Sequence, residues 1–141
     1  LVTSSNERVR ANSIEALGNL ITNLEKDDPV FLAAKIDIRK ALSDRSGRCR
    51  ANAIIALKDE RDVNIINPLQ EMIASDSVNI KKSALYALAD LSRNEFLPLI
   101  EKLYLDNNAE VKKNAAHVLR VMADEGSSSA AQLLDKLQKA H

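Results

Sequence analysis

Basic residues recur along the sequence at places where they could build an anion-binding surface. They stand near the starts of four similar stretches: Arg8, Arg10, Arg48, Arg50, Lys81, Lys82, Lys112 and Lys113. If stacked helices aligned them, Arg10, Arg50, Lys81, Lys82, Lys112 and Lys113 would form a basic ridge. Such a ridge could follow a phosphate backbone, and its binding would fall steeply with rising salt.

The alternative for these cations is pairing within the protein. A positive side chain near a helix N-terminus opposes the helix dipole, so a neutralising partner is expected nearby. The acidic residues in the adjoining turns include Asp44, Asp76, Asp106 and Glu110. We favour internal pairing and keep nucleic-acid or anion binding as the alternative function.

An amide ladder accompanies the basic residues. Asn12, Asn52 and Asn114 occupy equivalent places, and Ser83 replaces Asn in the third stretch. These side chains could present amides to a ligand or hydrogen-bond neighbouring units. A set in regular register suits bonding between units better, because buried amides need partners.

Residues typical of catalysis or metal binding are scarce. The chain has one cysteine, Cys49, and two histidines, His117 and His141, the latter at the terminus. We expect Cys49 to be a small buried hydrophobe and His117 to be exposed. The sequence offers no nucleophile–base pair, glycine-rich phosphate loop or acid–base dyad. It therefore predicts a non-enzyme without cofactor or metal.

Composition narrows the class further. The 20 Lys and Arg balance the 20 Asp and Glu among 141 residues, which disfavours a dedicated nucleic-acid or membrane-surface binder. A single cysteine and the absence of an 18-residue apolar run favour a cytoplasmic location. Because the opening LVTSSNERVR has neither Met nor a signal-peptide core, we expect a piece of a longer protein.

The elements that carry these residues form an internal repeat. RVRANSIEAL at 8–17 and RCRANAIIAL at 48–57 are nearly identical, with weaker copies further on. Taking Val9, Cys49, Ile80 and Val111 as anchors, apolar or small residues follow at offsets of four, seven and eight. These offsets place the side chains on one stripe of an α-helix, so each anchor marks a helix.

Polar turns precede the anchors and should cap these helices. The expected N-cap residues are Ser5, Asp44, Asp76, Asn107 and their neighbours. A second amphipathic helix should follow each anchored one, with Pro68 and Pro98 early in two of them.

The expected buried residues of the two proline-containing helices are Ile66, Leu69 and Ile73, and Phe96, Leu99 and Leu103. In the longer first unit we expect the anchored helix to continue through Leu24 and the second to span 29–42. Gly126 should then end the fourth anchored helix, and a last helix should bury Leu133, Leu134 and Leu137.

These stretches resemble the HEAT-repeat family, particularly its short bacterial 31-residue variant. They fit D-x-x-x-x-V-[RK]-x-x-[AS]-x-x-A-L as SSNERVRANSIEAL, DRSGRCRANAIIAL, DSVNIKKSALYAL and DNNAEVKKNAAHVL, the third being one residue shorter before its anchor. The resemblance implies an all-α, right-handed α-solenoid of armadillo type with about four helix pairs. The units are expected at 4–43, 44–75, 76–105 and 106–140, as one domain of a larger protein.

The resemblance also implies a function, because similar arrays mostly act as protein-binding scaffolds. The second helices should line a concave face that binds a protein or peptide. Its expected outward residues are Asn64, Pro68, Glu71, Asn94, Pro98 and Glu101. We expect the isolated chain to be a monomer that does not insert into membranes.

Some HEAT-like proteins are enzymes, and the residues give those activities little support. Iron-dependent hydroxylases of this type carry paired His-Glu dipeptides, and this sequence contains none. DNA glycosylases of this type use aromatic side chains, whereas the chain has no Trp and only four Phe or Tyr. A role related to the bilin lyases, which share the short repeat, has no supporting residue.

The packing stripe can be tested at Ala84. We expect Ala84→Leu to destabilise the protein by about 1–3 kcal/mol, because extra methylenes do not fit a filled helix contact. Chemical denaturation followed by circular dichroism measures the change. The control is His117→Ala, which should leave stability almost unchanged, and an equally stable Ala84→Leu protein would contradict the assignment.

Overall fold

In the computed structural model, which describes residues 1–140, the chain is all-helical. Over that range there are eight α-helices and a 3-10 helix at Asn94–Phe96. The α-helices are α1 (Glu7–Ile21), α2 (Pro29–Ala41), α3 (Gly47–Ala56), α4 (Ile66–Ile73), α5 (Val78–Leu91), α6 (Leu97–Tyr104), α7 (Ala109–Asp124) and α8 (Ser128–Ala140). The all-α fold class expected from the sequence is confirmed. Within residues 1–140, no helix combines the length and the apolar character that a membrane span requires.

The helices belong to two compact segments. The N-terminal segment is Leu1–Glu71, and the C-terminal segment starts at Met72, inside α4. In the N-terminal segment α1 packs on both α2 and α3, while in the C-terminal segment α7 packs on α5, α6 and α8. Each segment thus contains a contact between successive anchored helices.

The helix starts lie slightly later than the sequence analysis placed them. The capping side chains are Asn6, Ser46, Ser77 and Asn108, each three residues before its anchor. Asn6, Ser77 and Asn108 directly follow the named residues Ser5, Asp76 and Asn107, whereas Ser46 lies two residues after Asp44. At this position a short polar side chain reaches the free backbone N–H groups of the first turn. Asp44 and Asp106 lie two residues earlier and accept instead from the backbone N–H of Ser46 and Asn108.

Two further expectations about the helices need correction. The first helix ends at Ile21 rather than Leu24, because residues 22–24 turn away through hydrogen bonds spanning three residues. At α4, Leu69 is buried as expected, whereas Ile66 is 45% exposed and Ile73 is half-buried. The residues buried in their place are Ile65, directly before the helix, and Met72. Two of the three expected positions therefore shift by one residue.

The packing stripe of the anchored helices is buried as expected at most positions. Its buried members in or directly after α3, α5 and α7 are Cys49, Ala53, Leu57, Ala84, Ala87, Leu88, Val111, Ala115, Val118 and Leu119. Ala56 and Ile80 are half-buried. In α1 the stripe is less buried, because Val9, Ser13 and Leu17 are half-buried and Ala16 is exposed. Small side chains on this stripe let neighbouring helix axes approach closely.

The remaining helices complete the two cores. Phe96, Leu99 and Leu103 are buried as expected, and Leu134 and Leu137 of α8 are buried while Leu133 is half-buried. Gly126 has φ 109°, a left-handed conformation that glycine adopts without steric cost, so it ends α7 as expected.

The contact between α1 and α3 is closest at Gly18. A Cβ atom added there would lie 2.8 Å from the Cβ of Ala56, which is too close without movement of a helix. The absence of a side chain at position 18 therefore sets the distance between these helices.

We expect Gly18→Ala to destabilise the protein. Overpacking costs about 1–3 kcal/mol, and the better helix propensity of alanine returns up to about 1 kcal/mol, so the net loss should be about 1 kcal/mol. Urea denaturation measures it, with the exposed neighbour Asn19→Ala as control. A Gly18→Ala protein more stable than the wild type would show that the two helices separate at little cost.

Candidate functional site

Arg10 is bound on several sides by the protein itself. Its side chain is 7% exposed, and its Nε and Nη2 donate to the two carboxylate oxygens of Asp44 at 3.0 and 3.1 Å. Its Nη1 donates to the backbone carbonyls of Ser4 and Ser5 at 2.9 and 3.1 Å. The guanidinium thus fastens α1 to the turn before its own helix and to the turn before α3.

The same arrangement recurs in the C-terminal segment. Lys81 follows its anchor as Arg10 does, and its Nζ lies 2.6 Å from the Asp106 carboxylate. Asp44 and Asp106 both stand five residues before the next anchor, so the two pairs are equivalent. The adjacent Lys82 donates to Glu110 at 2.7 Å. Internal pairing, favoured from the sequence, is observed for Arg10, Lys81 and Lys82.

The other ridge cations have different surroundings. Arg50 donates through Nε to the backbone carbonyl of Asp44 in its own turn. Lys112 lies over the Tyr104 ring, with Nζ 5.0 Å from the ring centroid, a cation–π contact that joins α7 to α6. Lys113 is exposed. The proposed ridge thus consists largely of cations that already bind within the protein.

The ion pairs of Arg10 with Asp44 and of Lys81 with Asp106 shift the pKa values of their side chains. Burial alone would raise the pKa of Asp44, but hydrogen bonds from Arg10 and from the Ser46 backbone, with the charge of Arg10, bring the pKa below its usual value. The hydrogen bond from Lys81, helped by the Asn108 backbone, lowers the pKa of Asp106. The bond to Asp44 raises the pKa of Arg10. Both carboxylates are therefore held in their charged form.

The amide ladder is used for structure at one position. Asn52 is buried, and its Nδ2 donates to the backbone carbonyl of Ala11 at 2.9 Å, which joins α3 to α1. Asn12 is exposed, and Ser83 and Asn114 are half-buried. Bonding between units, expected for the ladder, is thus observed at Asn52.

The candidate reactive residues do not form a site. Cys49 is fully buried, and that burial raises the pKa of its thiol, so it is a poor nucleophile. His117 is exposed on α7, and His141 lies outside the described residues. Within residues 1–140, no three His, Cys, Asp or Glu side chains are grouped to hold a metal ion.

The expected partner surface is mixed in character. Asn64 accepts from the backbone N–H groups of Ile66 and Asn67 at 2.9 and 3.1 Å, so its side-chain oxygen caps α4. Asn94 accepts from the Ser127 hydroxyl at 2.6 Å, a bond that ties two loops together. Both asparagines thus contribute to the fold as well as to the surface. The other four residues are exposed or half-buried: Pro68, Glu71, Pro98 and Glu101.

An apolar surface on α2 was missed in the sequence analysis. Val30, Leu32 and Ile36 are 53%, 49% and 56% exposed, and the exposed cations Arg39 and Lys40 follow them in the last turns. The signal was available, because PVFLAAKIDIRKA contains more large apolar residues than one buried stripe accommodates.

A cluster of four charges lies beside α2. The Lys35 ammonium lies 2.9 Å from Glu60 and 2.7 Å from Asp62, and Lys26 lies 2.7 Å from Glu60. Hydrogen bonds to Asp62 and Glu60 raise the pKa of Lys35. The cluster fixes the loop after α3, which carries Glu60 and Asp62, against two parts of the chain. These are Lys35 on α2 and Lys26 in the loop that precedes α2.

Comparison of the sequence with known protein families supports the assignment of the helical repeat. A family model described as HEAT repeats matches residues 37–120, which is more than half of the chain. No curated protein sequence matches the chain significantly.

The Asp44 pair predicts a particular pH dependence. Because the folded protein lowers the pKa of Asp44, its charged form stabilises the fold above the ordinary aspartate pKa near 4, and this contribution disappears as pH falls through the lowered pKa. Asp44→Asn should lower the melting temperature at pH 7, and its difference from the wild type should narrow toward pH 3.

Thermal melts followed by circular dichroism at pH 7, 5, 4 and 3 give the comparison. The control is Asp135→Asn on α8, which removes an exposed pair with Lys139 and should change stability little. A difference between wild type and Asp44→Asn that stays constant across the pH series would contradict the role assigned to this carboxylate.

Proposed function

The chain belongs to the HEAT-repeat family, and from this we propose that it is a protein-interaction module. In this proposal the outward faces of the second helices, α2, α4 and α6, bind a protein or peptide. The candidate contact residues are Asn64, Pro68, Glu71, Asn94, Pro98 and Glu101. The module is non-catalytic and acts in the cytoplasm.

One observation carries the proposal: exposed apolar side chains concentrate on the second helices. Eight large hydrophobic residues in the described chain are exposed, and five of them belong to α2, α4 or the residue that ends α6. They are Val30, Leu32, Ile36, Ile66 and Leu105. Apolar side chains held in water on rigid helices are the usual core of a protein-binding surface.

The anchored helices offer less to a partner. Arg10 and Lys81 form ion pairs with Asp44 and Asp106, in the turns that precede the next anchored helices. Lys82 forms an ion pair with Glu110. A phosphate would have to displace these bonds, and it would meet the repulsion of Asp44, Asp106 and Glu110. This supports protein binding over the nucleic-acid alternative.

The proposal can be tested by selecting ligands and mapping where they bind. A phage library of random 16-residue peptides is selected on the immobilised chain, and a selected peptide is titrated into 15N-labelled protein. The largest chemical-shift changes should fall in α2, α4 and α6. Changes concentrated in α1, α3, α5 and α7, or a selection that enriches no peptide, would overturn the proposal.

The nucleic-acid alternative is tested with the same labelled protein. A random 20-base-pair DNA duplex should cause no saturable shift changes, even at low salt, because most of the ridge cations already bind within the protein. Saturable duplex binding at low salt, lost when Lys81, Lys82, Lys112 and Lys113 are changed to Glu in a folded protein, would establish the alternative instead.

A further inference from the structure

We propose that the exposed face of α2 is a docking site for an acidic amphipathic segment of a partner protein. The segment would carry aliphatic or aromatic side chains next to two or more Asp or Glu residues. The inference rests on the proposed function, since it names one site and the chemistry of its ligand.

The apolar half of the site points directly away from the core. The buried stripe of α2 is Phe31, Ala34, Ile38 and Ala41. At 100° per residue, Ile36 lies opposite the centre of this stripe, with Leu32 and Ala33 on either side of it. Leu32 and Ile36 thus form a second stripe that the fold of the N-terminal segment does not use, whereas Val30, in the first turn, lies beside the buried stripe.

The basic half of the site follows on the same face. Arg39 is seven residues after Leu32 and Lys40 is four after Ile36, spacings that bring these side chains onto one face of the helix. Both are exposed. A stripe of two aliphatic side chains followed by two cations fits a segment whose apolar residues are followed by acidic ones.

The nearby cation Lys35 has a different role. Its ammonium is held by Glu60 and Asp62, and its side chain is 15% exposed. It therefore positions α2, while Arg39 and Lys40 face the partner. Because α2 is fixed by its buried stripe on one side and this charge cluster on another, the site is rigid before binding, which reduces the entropic cost of association.

Acidic residues around the site favour a peptide over an extended anionic surface. Asp37 lies one turn before Lys40, and the carboxylate of Asp62, with its side chain 64% exposed, lies at the side of α2. The hydrogen bond from Lys35 is the largest cause of the lowered pKa of Asp62, and the charge of Arg39 adds to it, so Asp62 lies near Arg39. A short acidic segment can place its carboxylates on Lys40 and on the side of Arg39 away from Asp62. A lipid surface or a nucleic-acid backbone would bring further negative charges against Asp37 and Asp62.

The test begins with the composition of selected peptides. Peptides recovered from the random 16-residue library should be enriched in Asp and Glu beside Leu, Ile, Phe or Trp. Their affinity should fall at least tenfold between 50 and 500 mM salt, because charge pairing contributes to binding. Selected peptides that are basic or uncharged would overturn the inference.

Variants then show whether α2 is the site. Ile36→Ser and the double variant Arg39→Glu/Lys40→Glu should each weaken the selected peptide at least tenfold. The matched controls are Tyr86→Ser, an exposed aromatic residue on α5, and Lys136→Glu, an exposed lysine on α8. All five positions are exposed, so the variants should fold, and circular dichroism checks this.

A charge exchange gives the sharpest outcome. A peptide with its Asp and Glu changed to Lys should lose binding to the wild type and regain it with Arg39→Glu/Lys40→Glu. Failure of this rescue would overturn direct pairing at these cations. Phosphatidylcholine vesicles containing 30% phosphatidylserine test the membrane alternative, and an Ile36-dependent affinity for them above that of the peptide would overturn a peptide as the ligand.

The outcomes separate the inference from the proposed function. If peptides bind and shift only α4 or α6, and the α2 variants bind as the wild type does, the proposed function stands and the α2 site fails. If no peptide is enriched, both fail. If binding depends on Ile36, Arg39 and Lys40, both are supported.

Discussion

Close contact between successive anchored helices is the constraint on which the rest of the structure depends. A single helix pair cannot bury its apolar faces, so stability comes from stacking on neighbours. In the N-terminal segment Gly18 of α1 meets Ala56 of α3 with no space for another carbon atom. In the C-terminal segment small residues such as Ala84 and Ala115 are fully buried on α5 and α7. Once these contacts fix the helices, the caps and charged side chains also have fixed positions.

The basic residues of the repeat follow from this register. A cation one residue after the anchor reaches the turn of the next unit, where an aspartate five residues before the next anchor receives it. Arg10 with Asp44 and Lys81 with Asp106 use the same geometry. Where serine replaces aspartate, as at Ser4 and Ser75, its hydroxyl still accepts the backbone N–H two residues on. The most regular motif of the sequence is therefore structural.

Sequence periodicity predicted the anchored helices well and the second helices less well. Offsets of four, seven and eight identify one stripe, and most of its positions in α3, α5 and α7 are buried. These helices also bury residues outside that stripe, such as Ile54, Leu85 and Met122. At α4 there are adjacent apolar residues at both ends, Ile65 and Ile66, and Met72 and Ile73, so two stripes fit the periodicity equally. Packing against the rest of the chain buries Ile65 and Met72. The pairing of Arg10 with Asp44 spans 34 residues, so it depended on packing that periodicity alone does not specify.

The units differ most on the outward faces of their second helices. The anchored helices repeat the same packing stripe, whereas these outward faces carry different charges and different apolar side chains. The face of α2 carries Leu32, Ile36, Arg39 and Lys40, while α4 carries Glu71 and α6 carries Glu101. Under the proposed protein-binding function, Arg39 and Lys40 would select acidic groups of a partner, and Glu71 and Glu101 basic ones. Discrimination between partners arises from such differences in affinity. In that function the outward faces, rather than the packing stripe, determine which partner binds.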